Sequence, residues 1–144
     1  MKKYKTYESK QTYNLGKNFS KDLKKGDVLL LYGDLGSGKT TFVQGLAKGL
    51  GVKDRILSPT FILHRRHDVA KRDFNLLNHI DLYRIEKPED LKTLGLDEIF
   101  ADISSITAVE WADRLKSFKV KKGYKIYFKY LGENKREITI DIKS

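Results

Sequence analysis

Gly33, Gly38, Lys39 and Thr40 stand in the spacing G-x-x-x-x-G-K-[ST], inside the stretch LYGDLGSGKTTFV. Glycines at such positions let a backbone fold closely around an anion with its N–H groups turned inward. A helix beginning at the lysine adds the positive end of its dipole to the same point. Lys39 would then meet the β- and γ-phosphates of a nucleotide and Thr40 would give its hydroxyl to Mg²⁺. Gly33, Asp34, Leu35, Gly36, Ser37, Gly38 and Thr41 would complete the cradle around them. The plainer alternative is a glycine-rich turn that happens to carry a lysine. The flanking sequence weighs against it, because the loop follows an apolar run and precedes a helical pattern, the setting in which the spacing has meaning.

A nucleotide site also needs a carboxylate to complete Mg²⁺ coordination and to orient or deprotonate the attacking group. Asp81, after LLNHI, and Glu110, after ITAV, each close an apolar strand-like run, where a side chain can face the phosphates from the ligand edge of a sheet. Alone, Asp81 could be a turn or helix cap and Glu110 an exposed strand end; two acids in the same kind of position make coincidence a poorer explanation. No N-K-x-D guanine motif is present, which favours ATP over GTP.

The elements that must hold these residues read as an α/β pattern. Val28–Tyr32 is continuously apolar and too short for a helix, so it is expected to be a strand buried on both faces. Phe42, Leu46 and Leu50 recur at helical spacing after the loop, and Gly49 and Gly51 supply a stop. Leu15, Phe19 and Leu23 predict an amphipathic helix within Thr12–Lys25, ended by Gly26 and Asp27. Further strands are expected at Thr60–Leu63, after Pro59 has held Ser58 extended, at Phe74–Tyr83 and at Ile106–Trp111. The charged stretch HRRHDVAKRD between the first two shows no period and reads as a loop. Pro88, Glu89 and Asp90 open a helix that includes Leu91, Leu94 and Leu96. The alternating segments Tyr124–Tyr130 and Arg136–Ile142, joined by LGENK, form a C-terminal β-hairpin by pattern.

A chain of 144 residues, 40% of them hydrophobic, suits one core, so residues 1–144 are expected to form a single P-loop ATPase domain of mixed, mostly parallel sheet flanked by helices. Absence of cysteine removes disulfides and thiolate chemistry, and the basic start MKKYKTYESK is followed by polar residues rather than an apolar stretch. A cytoplasmic chain without membrane segments is the expectation. The net charge of +10 suits a polyanionic partner, yet only seven of the 29 basic residues are arginine and the lysines are scattered throughout.

Taken in order, GDLGSGKTTFVQGLAKGLGV, SPTF, HIDLYR and VEW resemble the bacterial TsaE (YjeE) family of small P-loop ATPases, over about Thr12 to Trp111. The resemblance implies a weak ATPase, using ATP and Mg²⁺, that serves formation of N6-threonylcarbamoyladenosine in tRNA. It implies TsaD and TsaB as partners, with hydrolysis driving turnover of their complex and tRNA reached through that complex. Carried over by motif, Lys39 and Thr40 serve phosphate and Mg²⁺, Thr60 of SPTF acts as a switch near the γ-phosphate, and Asp81 and Glu110 are the acidic site residues. WADRLKSF departs from the family in lacking the usual proline and glycine-rich turn after Glu-Trp. The loop carrying Arg65, Arg66, Lys71 and Arg72 is unusually basic and would face tRNA, an acidic partner surface or simply solvent.

Lesser candidates have structural explanations. His64 and His67 lack a third ligand nearby, and His79 and Trp111 suit packed positions. Arg84 would either supply transition-state charge or hold Asp81. A small-molecule P-loop kinase and a nucleotide-gated binding module are the competing functions, the first of which would need an acceptor pocket and a lid that 144 residues scarcely accommodate.

Overall fold

VLLLY is apolar throughout because both of its faces are covered. In the computed structural model it forms β2 (Val28–Tyr32), with Leu29 and Leu31 in the core on one side and Val28 and Leu30 in a second core on the other. The structure describes residues 1–54, 56, 64–70, 73–116, 120 and 123–143. Around β2 lie β1 (Lys2–Thr6), β3 (His64–Asp68), β4 (Leu76–Asp81), β5 (Ser105–Glu110), β6 (Gly123–Gly132) and β7 (Lys135–Lys143). Among the described residues they form one seven-stranded sheet in the order β1-β7-β6-β2-β5-β4-β3. The ladders β6–β2, β2–β5 and β5–β4 are parallel and the other three antiparallel, so only β7 and β3 run against the rest. The sheet is therefore mixed and mostly parallel, and β6–β7 is the expected hairpin.

Two helices, α1 (Ser9–Phe19) and α2 (Lys39–Gly49), cover one face. They approach closely because glycines stand at their contact: a Cβ on Gly45 would lie 1.8 Å from the Tyr13 carbonyl oxygen, and one on Gly16 2.1 Å from that of Phe42. Phe42, Val43 and Leu46 of α2 are fully buried, each such side chain contributing roughly 1.5–3 kcal/mol. The opposite face is covered by a 3₁₀ segment Pro88–Leu94, the short α3 (Leu96–Ala101) and a 3₁₀ turn Ala112–Leu115. No helix among the described residues is long and apolar enough to cross a membrane.

Several expectations are corrected. The stretch HRRHDVAKRD is not all loop: His64–Asp68 is β3, antiparallel to β4 with His67 opposite Leu77. As an edge strand it buries only His67 and exposes Arg65 and Arg66, charges that discourage pairing with another chain, so its strand character carries no apolar pattern. Likewise β1, rich in lysine, was not expected from sequence. Helix α1 begins at Ser9, and its buried stripe is Thr12, Gly16 and Phe19; Leu23 is buried beyond the helix, after a 3₁₀ turn at Ser20–Asp22. The helix expected from Pro88 is two pieces, broken where Gly95 takes a left-handed φ of 66°. β4 is shorter than Phe74–Tyr83, and β5 ends at Glu110 rather than Trp111. The strand expected at Thr60–Leu63, together with Thr60 itself, lies outside the described residues, as do Lys71 and Arg72.

Candidate nucleotide-binding site

The loop after β2 turns back on itself before α2 begins. Its Ser37 N–H donates to the Asp34 carbonyl at 3.1 Å, and the Phe42 N–H donates to Gly38 at 3.0 Å to open the helix. Gly33 has φ 151°, and a Cβ there would fall 2.7 Å from both the Phe128 carbonyl oxygen and Ser37 Oγ; Gly38, with φ 105°, precedes the helix. Gly33 excludes a side chain by close contact, and Gly38 favours glycine through its positive φ. Inside the loop Lys39, only 5% exposed as a residue, donates its ammonium hydrogens to the carbonyl of Gly33 and, at 3.1 Å, to that of Asp34. The Ser37 hydroxyl is buried without a hydrogen-bond partner, a donor left over for an anion.

The acids come from neighbouring parallel strands. Asp81 ends β4 and Glu110 ends β5, directly opposite one another in register, while Leu31 of β2 faces Glu110 on its other side. All three strands thus deliver their carboxyl ends to the start of α2, where an open α/β sheet places its ligands. Thr40 Oγ1 donates to Glu110 Oε1 at 2.9 Å, and His79 Nε2 lies 2.5 Å from Glu110 Oε2. Asp81 Oδ1 accepts the Tyr83 N–H at 2.9 Å. Thr40, Glu110 and Asp81 together present hard oxygen donors beside the anion cradle, a set that fits Mg²⁺ sharing its coordination with phosphates.

Burial dominates the electrostatics. Desolvation lowers the pKa of Lys39 from the ordinary lysine value, opposed chiefly by Glu110 and then by Asp81. Desolvation likewise raises that of Asp81, reinforced by Glu110 and countered by the Tyr83 N–H, His79 and Lys39. A phosphate group arriving beside Lys39 would favour the charged ammonium and so oppose the effect of burial.

A cleft of about 360 Å³ joins these groups. Besides the loop and the two acids it is lined by Tyr83, Arg84 and Trp111 on one side and by Ser9, Thr12, Asn134 and Arg136 on the other. Trp111 is left-handed (φ 58°), a backbone state costing roughly 1–3 kcal/mol, and its ring centroid lies 4.1 Å from Lys39 Nζ and 5.1 Å from the Tyr83 ring. This tryptophan is a wall of the site and, partly buried, packs against the second core. Arg136 was not anticipated: its guanidinium donates to the Gly36 carbonyl at 3.0 Å and lies 4.5 Å from the Tyr130 ring centroid, tying the β6–β7 hairpin to the loop. No local pattern marks it, because its partner is 100 positions away. His64 and His67 do not converge; the first meets Asn78 Oδ1 at 2.9 Å and the second Asp54 Oδ2 at 3.4 Å.

A profile of the family described as "Threonylcarbamoyl adenosine biosynthesis protein TsaE" matches residues 6–138. The chain belongs to the TsaE family. Among relatives named "tRNA threonylcarbamoyladenosine biosynthesis protein TsaE", that of Bacillus subtilis (strain 168) is 37% identical over 137 residues, covering 95% of this chain and 83% of the relative. The TsaE of Nostoc sp. (strain PCC 7120) is 38% identical over 136 residues, covering 92% and 81%. A solved structure described as the crystal structure of Bacillus subtilis YdiB superposes with a TM-score of 0.81 at 32% identity, covering 99% of this chain and 86% of the other. Membership in the TsaE family assigns the chain to threonylcarbamoyladenosine biosynthesis for tRNA.

Proposed function

We propose that this TsaE-family chain binds ATP with Mg²⁺ in the cleft and hydrolyses it slowly, and that hydrolysis drives turnover of a TsaB–TsaD complex that modifies tRNA. The observation that carries the reading is the meeting of Lys39, Thr40 and Glu110 at the amino end of α2, beside a loop in which Gly33 admits no side chain and Gly38 takes a positive φ. Backbone N–H groups and Lys39 hold the phosphates, with the Ser37 hydroxyl as a further donor. Thr40, Glu110 and Asp81 would hold Mg²⁺, which when bound neutralises charge on the phosphate oxygens. Glu110 or Asp81 orients the attacking water, both being within the cleft. Thr60 is assigned the switch role near the γ-phosphate by its motif alone.

The test is association with TsaB and TsaD in the presence of ATP, of ADP and of neither. ATP-dependent capture of both proteins is the expected result. Equal capture in all three conditions would remove nucleotide control from the function, and no capture in any would remove the partners.

A further inference from the structure

His79 is completely buried on β4, yet it does not rest among apolar groups alone: its Nε2 lies 2.5 Å from Glu110 Oε2. The other oxygen of the same carboxylate accepts the Thr40 hydroxyl at 2.9 Å. A string of three side chains therefore runs from β4 through β5 to the first turn of α2, and both carboxylate oxygens of Glu110 are engaged.

Protonation follows from which nitrogen has a partner. His79 Nδ1 is buried with no hydrogen-bond partner, so a proton there would be stranded, whereas Nε2 faces an acceptor. The geometry places the Nε2–H of His79 against Glu110 Oε2, which accepts it. With Oε2 held, the carboxylate cannot rotate away, and Oε1 keeps the Thr40 hydroxyl hydrogen turned towards itself. The Thr40 oxygen then presents its lone pairs elsewhere, which is the orientation a metal-ligating hydroxyl requires.

We propose that His79 is a positioning residue, acting through Glu110 to hold the Thr40 hydroxyl ready for the divalent cation that accompanies the nucleotide. The inference rests on the reading of the cleft as an ATP–Mg²⁺ site and adds a residue to it. A histidine that only fills space would be replaceable by leucine without consequence for the metal, while a positioning histidine would not.

The measurement is ATP affinity by calorimetry, with excess Mg²⁺ and with EDTA, for the wild type, His79→Leu and His79→Gln. His79→Leu is expected to keep its metal-free affinity within about twofold and to lose about tenfold of the gain that Mg²⁺ confers, and His79→Gln, which retains an N–H donor, to recover most of that gain. An undiminished gain in His79→Leu would overturn the proposal. Nitrogen-15 NMR of the wild-type imidazole provides a readout independent of variant folding and of ATP: a slowly exchanging Nε2–H that shifts on Glu110→Gln is expected, and an Nδ1–H tautomer would refute the clamp. Wild-type protein that bound no ATP in either condition would instead count against the site assignment itself.

Discussion

The contact between α1 and α2 and the cluster at the carboxyl ends of β2, β4 and β5 lie on the same scaffold but are built on opposite terms. Where the helices meet, apolar side chains such as Phe42 and Leu46 are fully buried and glycines bring the backbones together. At the strand ends a lysine, an aspartate, a glutamate and a histidine are buried together, Trp111 is left-handed, and Ser37 Oγ and His79 Nδ1 lack partners. The first region supplies stability, and the second consumes some of it to keep charges and donors arranged for a ligand. Substitutions should therefore separate cleanly: changes at the helix contact lower stability, and changes at the strand ends lower function while leaving or raising stability.

The largest expected effect is at the helix contact. Gly45→Val would drive side-chain atoms into the Tyr13 carbonyl and should cost at least about 3 kcal/mol in urea unfolding. A loss below 1 kcal/mol would mean that the helices can move apart freely. Next comes Glu110→Ala, expected to slow multiple turnovers of tRNA modification by roughly 100-fold and to lose at least the Mg²⁺-conferred part of ATP affinity that His79→Leu loses, while metal-free ATP binding persists. Modification at the normal rate would show that hydrolysis is not the function of this cluster.

A smaller change of opposite sign is expected at Asp81. Its folded pKa lies above the unfolded value of 3.8, chiefly through desolvation, so the folded chain binds the proton more tightly. Stability from this group is greatest below the unfolded value and falls as pH rises through the folded one, leaving the carboxylate a net cost at neutral pH. Asp81→Asn keeps an oxygen for the Tyr83 N–H and should raise the melting temperature at pH 7 by about 2–4 °C, with loss of that gain near pH 3. A lowered melting temperature would place Asp81 with the stabilising region instead. Smallest is the effect of Arg65→Gln with Arg66→Gln on the exposed edge β3: if these residues meet tRNA phosphates, the salt-dependence slope of complex–tRNA binding should flatten by about 1.5. An unaltered slope would leave them as solvated edge charges.

What was legible in the sequence follows the same division. β2, the glycine loop and α2 were plain because an apolar run, a fixed spacing and a helical repeat are all local signals. Asp81 and Glu110 could be picked out because each ends an apolar strand. β1 and β3 were not legible, since edge strands carry lysine and arginine and bury little. The buried face of α1 was legible only in part: Phe19 stood in the expected stripe and is buried, whereas Thr12 and Gly16 are buried by close approach and carry no apolar signal. His79 was visible as a residue but not as a partner of Glu110, because that contact joins positions 31 apart through the β4–β5 register.

The central claim is that the loop around Lys39 is a nucleotide site, and titration of ATP into wild type and Lys39→Ala tests it most directly. Saturable binding strengthened by Mg²⁺ in the wild type, with affinity reduced by roughly 100-fold in Lys39→Ala, is the result the account predicts from loss of a charge-assisted contact to phosphate. Equal affinity in the two proteins would contradict it.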